Sequence, residues 1–125
     1  MANPNIAAVA AIYGNTSTTS LSTTAATSIV SNAASSGKVY KINSLVVANI
    51  DGTNAADITI NVYSAAALGG TGTAIASTIS VPADATLIII DKTTQIYLLE
   101  DKSIGAIAGT ASDLVVTCSW EEINS

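Results

Sequence analysis

Alternation of apolar and polar residues with a period of two constrains the fold of this chain more than any other feature. The run Asp57–Tyr63 alternates without a break and places Ile58, Ile60 and Val62 on one face. The run Leu114–Trp120 places every second residue, all of them apolar, on one face in the same way. Successive side chains of a β-strand point to opposite faces, so this period is typical of half-buried strands. The chain is therefore predicted to be rich in β-structure.

Two further runs show the same rhythm with one irregularity. In the segment before Pro82, Ile75, Ile79 and Val81 are predicted to face inward. The long run Val39–Ile50 changes its apolar phase around Asn43-Ser44. This change predicts a β-bulge, or a strand that passes from one sheet to another.

Turn residues separate these runs at short intervals and indicate seven to nine strands. The turn segments are Asp51–Asn54, Gly69–Gly72, Pro82–Asp84, Asp91–Thr94, Glu100–Lys102 and Gly109-Thr110. A length of 125 residues suits one domain with a core of its own. The predicted fold class is all-β, an antiparallel β-sandwich of the jelly-roll or immunoglobulin-like type.

The first 36 residues differ from the rest of the chain. They contain no charged residue and consist mostly of Ala, Ser, Thr and Asn. Small and β-branched polar residues favour extended chain over helix, and Ile6–Tyr13 and Thr27–Val30 are the candidate strands. We expect residues 1–36 to form an extended N-terminal arm with short strands, and residues 37–125 to form the β-sandwich domain.

The side chains on which most enzymes depend are missing. The sequence has no histidine and no arginine. Histidine is the only side chain that titrates near neutral pH without perturbation, and arginine is the residue best suited to bidentate binding of phosphate or carboxylate. We therefore expect no enzymatic activity, no catalytic residue and no cofactor.

Three segments invite a ligand-binding interpretation, and each is better explained otherwise. Asp51–Asp57 supplies several oxygen donors but lacks the EF-hand spacing and its bidentate glutamate, so turn capping accounts for it. Gly69–Thr73 leads into a strand and has no lysine, unlike a phosphate-binding loop. Glu121 and Glu122 are adjacent on a strand and point to opposite faces. No metal or phosphate site is predicted.

Charge and cysteine content limit the partners. Four lysines against nine acidic residues give a net charge of −5, which disfavours nucleic acid because clustered basic residues drive that affinity. No apolar run approaches the roughly 20 residues of a membrane-spanning helix, and no basic region precedes the first one, so neither a membrane span nor a signal peptide is predicted. Cys118 lies in an alternating strand and is expected to be a small buried hydrophobe.

The tyrosines and one unusually apolar strand supply the candidate residues for contact with other proteins. Tyr13 and Tyr63 are candidates, the latter because it falls on the polar face of its strand. The run Leu87–Ile90 is apolar on both faces, so it must be central or covered by a partner. Ile88 and Ile90 complete the candidate interface. Trp120 is in phase with the other inward residues of its strand and is expected to pack in the core.

The segment from Gly37 to Ile123 resembles small virion proteins of tailed bacteriophages. The stretches that carry the resemblance are Gly37–Ile42, Val47–Gly52, Ile58–Tyr63, Ile79–Ala83, Tyr97–Ile104 and Leu114–Ile123. The pattern often has Gly-Asp before the penultimate strand, where this chain has Glu100-Asp101. Proteins of this kind are β-sandwiches that decorate capsids or sit on tails and connectors, in many copies and without enzymatic activity.

The resemblance implies a structural protein of the virion, assembled in the host cytoplasm. A capsid decoration or cement subunit is the first expectation, acting as a homo-oligomer that binds the major capsid or tail protein and other copies of itself. The low-charge arm would then lie on an adjacent subunit by strand addition. The alternative is an adhesion or carbohydrate-binding module of a tail, neck or fibre, with exposed tyrosines as stacking platforms.

Overall fold

The structure is a computed structural model that describes residues 4–124. It contains strands β1 (Ala11–Ser20), β2 (Thr27–Asn32), β3 (Lys38–Asn49), β4 (Ala56–Ala65), β5 (Gly69–Val81), β6 (Thr86–Ile90), β7 (Ile96–Leu98), β8 (Lys102–Ala108) and β9 (Leu114–Asn124). Within the described range the secondary structure is all β, and every strand pair is antiparallel. The predicted fold class, an antiparallel β-sandwich, is confirmed.

The strands form two sheets in jelly-roll order. Sheet A has the order β1-β9-β3-β6, with β7 also paired to β3, and sheet B has the order β2-β8-β4-β5. The chain crosses between the sheets after β1, β2 and β3, and again after β5, β7 and β8. With β6 and β7 counted as one edge strand beside β3, this connection order is that of a jelly roll, one of the two types that the sequence left open.

The core lies between the sheets and comes from the alternating strands. Ile58 and Ile60 in β4, and Val116 and Cys118 in β9, are fully buried, as their phase predicts. Trp120 is half-buried on the same face of β9, and its ring stacks on Tyr40 with centroids 6.2 Å apart. The inward face of β9 was therefore predicted correctly.

The phase change in β3 is a β-bulge. The pairing of β3 with β9 shifts by one residue between Ile42 and Ser44, and Ile42 and Leu45 on either side of the shift are both fully buried. A bulge inserts one unpaired residue and so restores the inward phase after it. The first of the two predicted explanations is confirmed.

The inward assignment in β5 was wrong for Ile75 and right for Ile79, which lies opposite Ile58 on the inner face but is partly exposed at the sheet edge. Ile75 is 45% exposed and Ile79 is 38% exposed, while Ala76 and Val81 are buried. The pairing of β5 with β4 shifts between Ile58 and Ile60 and again beside Ile60. β5 has one extra residue between Ile79 and Ala76, which reverses the phase, so Ala76 faces inward and Ile75 outward.

Residues 4–36 contribute strands to both sheets. β1 pairs with β9 along its whole length, and β2 pairs with β8. Leu21 is fully buried, and Ile29 and Val30 belong to the same core. A separate extended arm is therefore not confirmed.

Two buried asparagines form hydrogen bonds that hold the strand ends of the sandwich together. The Asn32 side-chain amide donates to the carbonyls of Lys38 (2.9 Å) and Leu98 (3.2 Å), which joins β2 of sheet B to β3 and β7 of sheet A. The Asn49 amide donates to the carbonyls of Asn54 and Val81, both at 2.9 Å. A buried polar group costs free energy unless it is hydrogen-bonded, so these bonds specify how the two sheets meet.

Candidate functional site

The four predicted contact residues do not form one surface. Tyr13 is 58% exposed on β1, at one edge of sheet A, and Ile88 is 60% exposed on β6, at the opposite edge. Tyr63 lies on β4 in sheet B. Ile90 is 3% exposed and packs in the core, so it does not belong to a surface of this chain. β6 is an edge strand, so the central position is excluded for the run Leu87–Ile90, and its cover by a partner stays a prediction.

Tyr63 rests on two glycines of the neighbouring strands. A Cβ atom built on Gly72 would lie 2.9 Å from Tyr63 Cε1, and one built on Gly105 would lie 2.9 Å from Tyr63 Cε2. The ring therefore lies flat across β5, β4 and β8 and fills the space that the glycines leave. Packing against these two glycines therefore explains why the Tyr63 side chain is half-buried.

An ion pair marks one end of sheet A. The Lys38 ammonium donates to the Glu122 carboxylate, and this hydrogen bond raises the pKa of Lys38. Burial raises the pKa of the neighbouring Tyr40 phenol. Both groups keep their protons at neutral pH and so cannot serve there as a general base.

Reactive and metal-binding groups are dispersed over the described part of the chain. No three His, Cys, Asp or Glu residues of the range 4–124 lie close enough to hold a metal ion. Burial raises the pKa of the Cys118 thiol to about 12, which leaves it protonated and unreactive. The same range holds no helix long and apolar enough to cross a membrane.

Apolar residues cover one end of the outer face of sheet A. Ile12, Ile123 and Val39 lie directly opposite one another on β1, β9 and β3, so their side chains share that face. Ile123 and Val39 are buried even though they point away from the core. The set that we call the Val39 patch consists of Ile12, Val39, Tyr97, Leu99 and Ile123.

The N-terminal segment lies over the Val39 patch. Pro4 is buried, Ile6 is exposed, and the Ala10 amide donates to the Asn124 carbonyl at 2.8 Å. Pro4 and Ile6 line an apolar cavity of about 230 Å³ together with Val39, Tyr97 and Leu99. The segment therefore covers this face but does not fill it.

The other end of the outer face carries no charge. Thr18, Thr117, Val46 and Ile88 lie opposite one another across β1, β9, β3 and β6. Lys41 and Glu121, which pair closer to the Val39 patch, bring charge to this face. Small uncharged side chains on four strands make a surface with little desolvation cost for a partner.

Sequence reasoning missed Val39 and Ile123 as surface-forming residues. The available signal was that apolar residues occupy both phases near the start of β3 and the end of β9, which indicates a strand covered on both faces. The identity of the segment that covers these strands, the residues before β1, is visible only in the tertiary structure, because its own sequence does not show where it folds back.

No protein-family model matches this chain, and no curated protein matches it. A solved structure described as Bacillus endospore appendages, a family of disulfide-linked pili, contains a chain that is 16% identical. The match covers 98% of each chain, with a TM-score of 0.54. A second solved structure, of infectious bursal disease virus, matches at 11% identity and a TM-score of 0.38, over 90% of this chain and 33% of the viral chain. The first likeness shows a shared fold.

Proposed function

We propose that this chain is a structural protein that works by self-association and by packing against other proteins. The observation that carries the proposal is the concentration of exposed large apolar side chains on sheet A. Those on its outer face, or in the segment over that face, are Ile6, Ile12, Ile50, Ile88, Tyr97 and Leu99, while Tyr13 of β1 points the other way. Sheet B exposes Ile75 and Ile79 of β5. One side of the sandwich is therefore markedly more apolar than the other.

A surface of this composition fits a protein partner. Soluble monomers seldom expose contiguous apolar patches, and the centres of protein interfaces are poor in charged residues. Burial of apolar area contributes roughly 25 cal/mol per Å² before the costs of association. Many copies can each make a modest contact of this kind and together hold an assembly.

The specific proposal is a decoration or cement subunit of a bacteriophage virion, located on the virion and bound to the capsid or tail protein. Support comes from the resemblance of Gly37–Ile123 to small virion proteins and from the exposed apolar side chains of sheet A. The pilus protein with the same fold is described as disulfide-linked. Here the single cysteine, Cys118, is buried, so contacts between copies would be non-covalent.

Self-association is tested by sedimentation velocity and negative-stain electron microscopy over a wide range of protein concentration. We expect dimers or larger assemblies that grow with concentration and persist under reducing conditions. A monomer at every concentration would contradict the self-association half of the proposal.

Binding to a virion is tested separately by co-sedimentation. The purified chain is added to tailed-phage shells that lack decoration protein, and bound protein is measured in the pellet. We expect saturation at a fixed ratio to the shell protein. Unsaturable or absent binding would rule out decoration of that shell.

A further inference from the structure

From the edges of the two sheets, we infer that β1 of one copy pairs antiparallel with β1 of a second copy about a two-fold axis, and joins two A sheets into one. This inference rests on the self-association proposed above and names the surface that carries it. A sheet edge presents unpaired N–H and C=O groups that readily bond to another strand. Such pairing requires an edge strand that is long and regular.

Three of the four edges are short or irregular. β2 has six residues, and its pairing with β8 shifts between Ser28 and Val30. The far edge of sheet A is divided between β6, with five residues, and β7, with three. β5 is long, but its pairing shifts beside Ile58 and Ile60, and Thr78 has φ +48°. Short strands and bulges are the features that prevent edges from pairing.

β1 has none of these protections. It is ten residues long, contains no charged residue and no proline, and pairs with β9 without a shift from Ala11 to Ser20. A regular edge of this length is best matched by another that is equally long and regular. Among the described strands, only β1 itself meets that condition, so the partner is a second copy.

Alternation of hydrogen bonds identifies the groups that a partner would meet. The Leu21 amide donates to the Leu114 carbonyl at 2.9 Å, and the Asn15 carbonyl also faces β9, where it accepts from Ser119 Oγ at 3.4 Å. In an antiparallel pair, alternate residues bond to the same neighbour. Odd positions of β1 therefore bond to β9, and the amides of Gly14, Thr16 and Thr18 face the free edge.

A two-fold axis suits this edge. Antiparallel pairing of a strand with its own copy is isologous, so every contact is made twice. β1 has no charged side chain to repel its copy, and the side chains of Thr16 and Thr18 lie on the outer face, beside the uncharged end of sheet A. The joined sheet would present the exposed faces of both copies side by side.

The decisive variant is Thr16→Pro, measured by sedimentation velocity on the full chain. Proline removes one free-edge N–H and leaves the bonds of the odd positions to β9 intact, as tolerated on edge strands. Thr16→Val is the matched control, because it removes the hydroxyl bonded to Ser119 Oγ at 2.9 Å and keeps the N–H. We expect the proline variant to raise the dimer Kd by about tenfold or more, since the two-fold axis repeats each loss, and the valine variant to leave it nearly unchanged.

A second pair of variants covers the case in which the proline variant does not fold. Thr18→Lys introduces a lysine, one of the side chains by which natural edge strands avoid pairing, and should also weaken the dimer. Thr73→Lys adds the same charge at an exposed position of β5 and should not. If both β1 variants fold and dimerise like the wild type, the β1 edge is not the contact, although self-association stands. If the wild type is monomeric throughout, the proposed self-association fails as well.

Cross-linking tests the geometry independently. Single cysteines at Gly14, Thr16 and Thr18 are oxidised and examined on non-reducing gels; Cys118 is buried and should contribute nothing. About a two-fold axis, only the position nearest the axis faces its own copy, so the yield of disulfide-linked dimer should peak at one position. Equal yields at all three positions, or none, would overturn the antiparallel pairing.

Discussion

At the scale of single residues, the direction of a side chain on its strand decides its contribution to stability. Ile60 is fully buried between the sheets, and Ile88 is 60% exposed on an edge strand. Ile60→Ala should lower the free energy of unfolding by about 2–5 kcal/mol, because it removes buried methylene groups and leaves a cavity. Ile88→Ala should change it by no more than about 0.5 kcal/mol in the monomer. Urea unfolding at low protein concentration compares the two; equal losses would contradict the faces assigned here.

Cys118 makes stability fall at alkaline pH. Burial raises its pKa from 9.0 to about 12, so between these values the unfolded chain releases a proton that the folded chain keeps. Unfolding is then favoured as pH rises, by up to about 1.4 kcal/mol per pH unit for this group. The raised pKa of Tyr40 acts in the same direction.

Cys118→Val removes one of these titrations while the side chain stays apolar. We expect a shallower loss of unfolding free energy between pH 9 and 11 in the variant, measured by urea unfolding at each pH. Tyr40 should preserve part of the slope. If the unfolding free energy falls equally with pH in wild type and variant, the pKa of the Cys118 thiol is not raised in the folded state.

Burial could be predicted from sequence wherever a strand keeps its register. Val116 and Cys118 face inward as expected because β9 pairs regularly with β1. The outward direction of Ile75 could not be predicted, because the bulge that reverses its face depends on the pairing of β5 with β4. Ile90 was misjudged for a related reason. The run Leu87–Ile90 is apolar in both phases, so the sequence does not show which isoleucine faces inward.

At the scale of elements, the β4–β5 turn carries a backbone strain that one substitution should relieve. The Gly69 amide donates to the Ala66 carbonyl at 3.0 Å, and Ala67 and Leu68 between them have φ of 54° and 60°. This is a type I′ turn without the Asn-Gly that such turns prefer. Leu68 is retained for packing, since its Cδ2 lies 2.7 Å from where a Gly105 Cβ would be.

Ala67→Asn should therefore stabilise the protein. Asparagine tolerates the left-handed region better than alanine, and we expect a gain of about 0.5–1 kcal/mol in unfolding free energy. Ala74→Asn, at an exposed position within β5, is the control and should give no gain, because asparagine is disfavoured in strands. Thermal and urea unfolding should agree; a destabilised Ala67→Asn would show that the turn needs alanine for a contact.

Side-chain caps explain why the turn persists without glycine. The amides of Ala66, Ala67 and Leu68 donate to Asp101 Oδ1 (3.0 Å), Ser31 Oγ (2.9 Å) and Ser103 Oγ (2.9 Å). The caps come from β2, β8 and the loop before β8. Such distant partners are not visible in local sequence, so turn type was beyond prediction here.

At the scale of the whole molecule, strand count and fold class were predictable, and strand order was not. Alternation and turn spacing depend on local sequence, but a jelly roll and an immunoglobulin-like sandwich share both. The choice between them depends on long-range pairing, above all the insertion of β9 between β1 and β3. The same insertion gives residues 11–20 a place in sheet A, which the polar composition of the N-terminal segment did not indicate.

Two truncations separate the roles of the N-terminal residues in fold and assembly. Deleting residues 1–10 removes the segment over the Val39 patch and leaves β1 intact. Val39 and Ile123 would become exposed, so we expect stronger binding of a hydrophobic dye and a loss of roughly 1–3 kcal/mol in unfolding free energy, the scale of one or two apolar side chains. Ile6→Ser in the full chain should have little effect, because Ile6 is already 53% exposed.

Deleting residues 1–20 also removes β1 and uncovers the edge of β9. If β1 carries self-association, the first truncation should still dimerise, and the second should have lost that contact while keeping a folded sandwich, because most of the buried core lies beyond residue 20. Circular dichroism and sedimentation velocity measure the two properties on the same samples. Unfolding of the longer truncation would show that β1 is needed for the fold itself. Equal dimerisation of both would place the contact between copies away from β1, provided that Thr16→Pro in the full chain, where β1 still covers the β9 edge, also leaves the dimer unchanged.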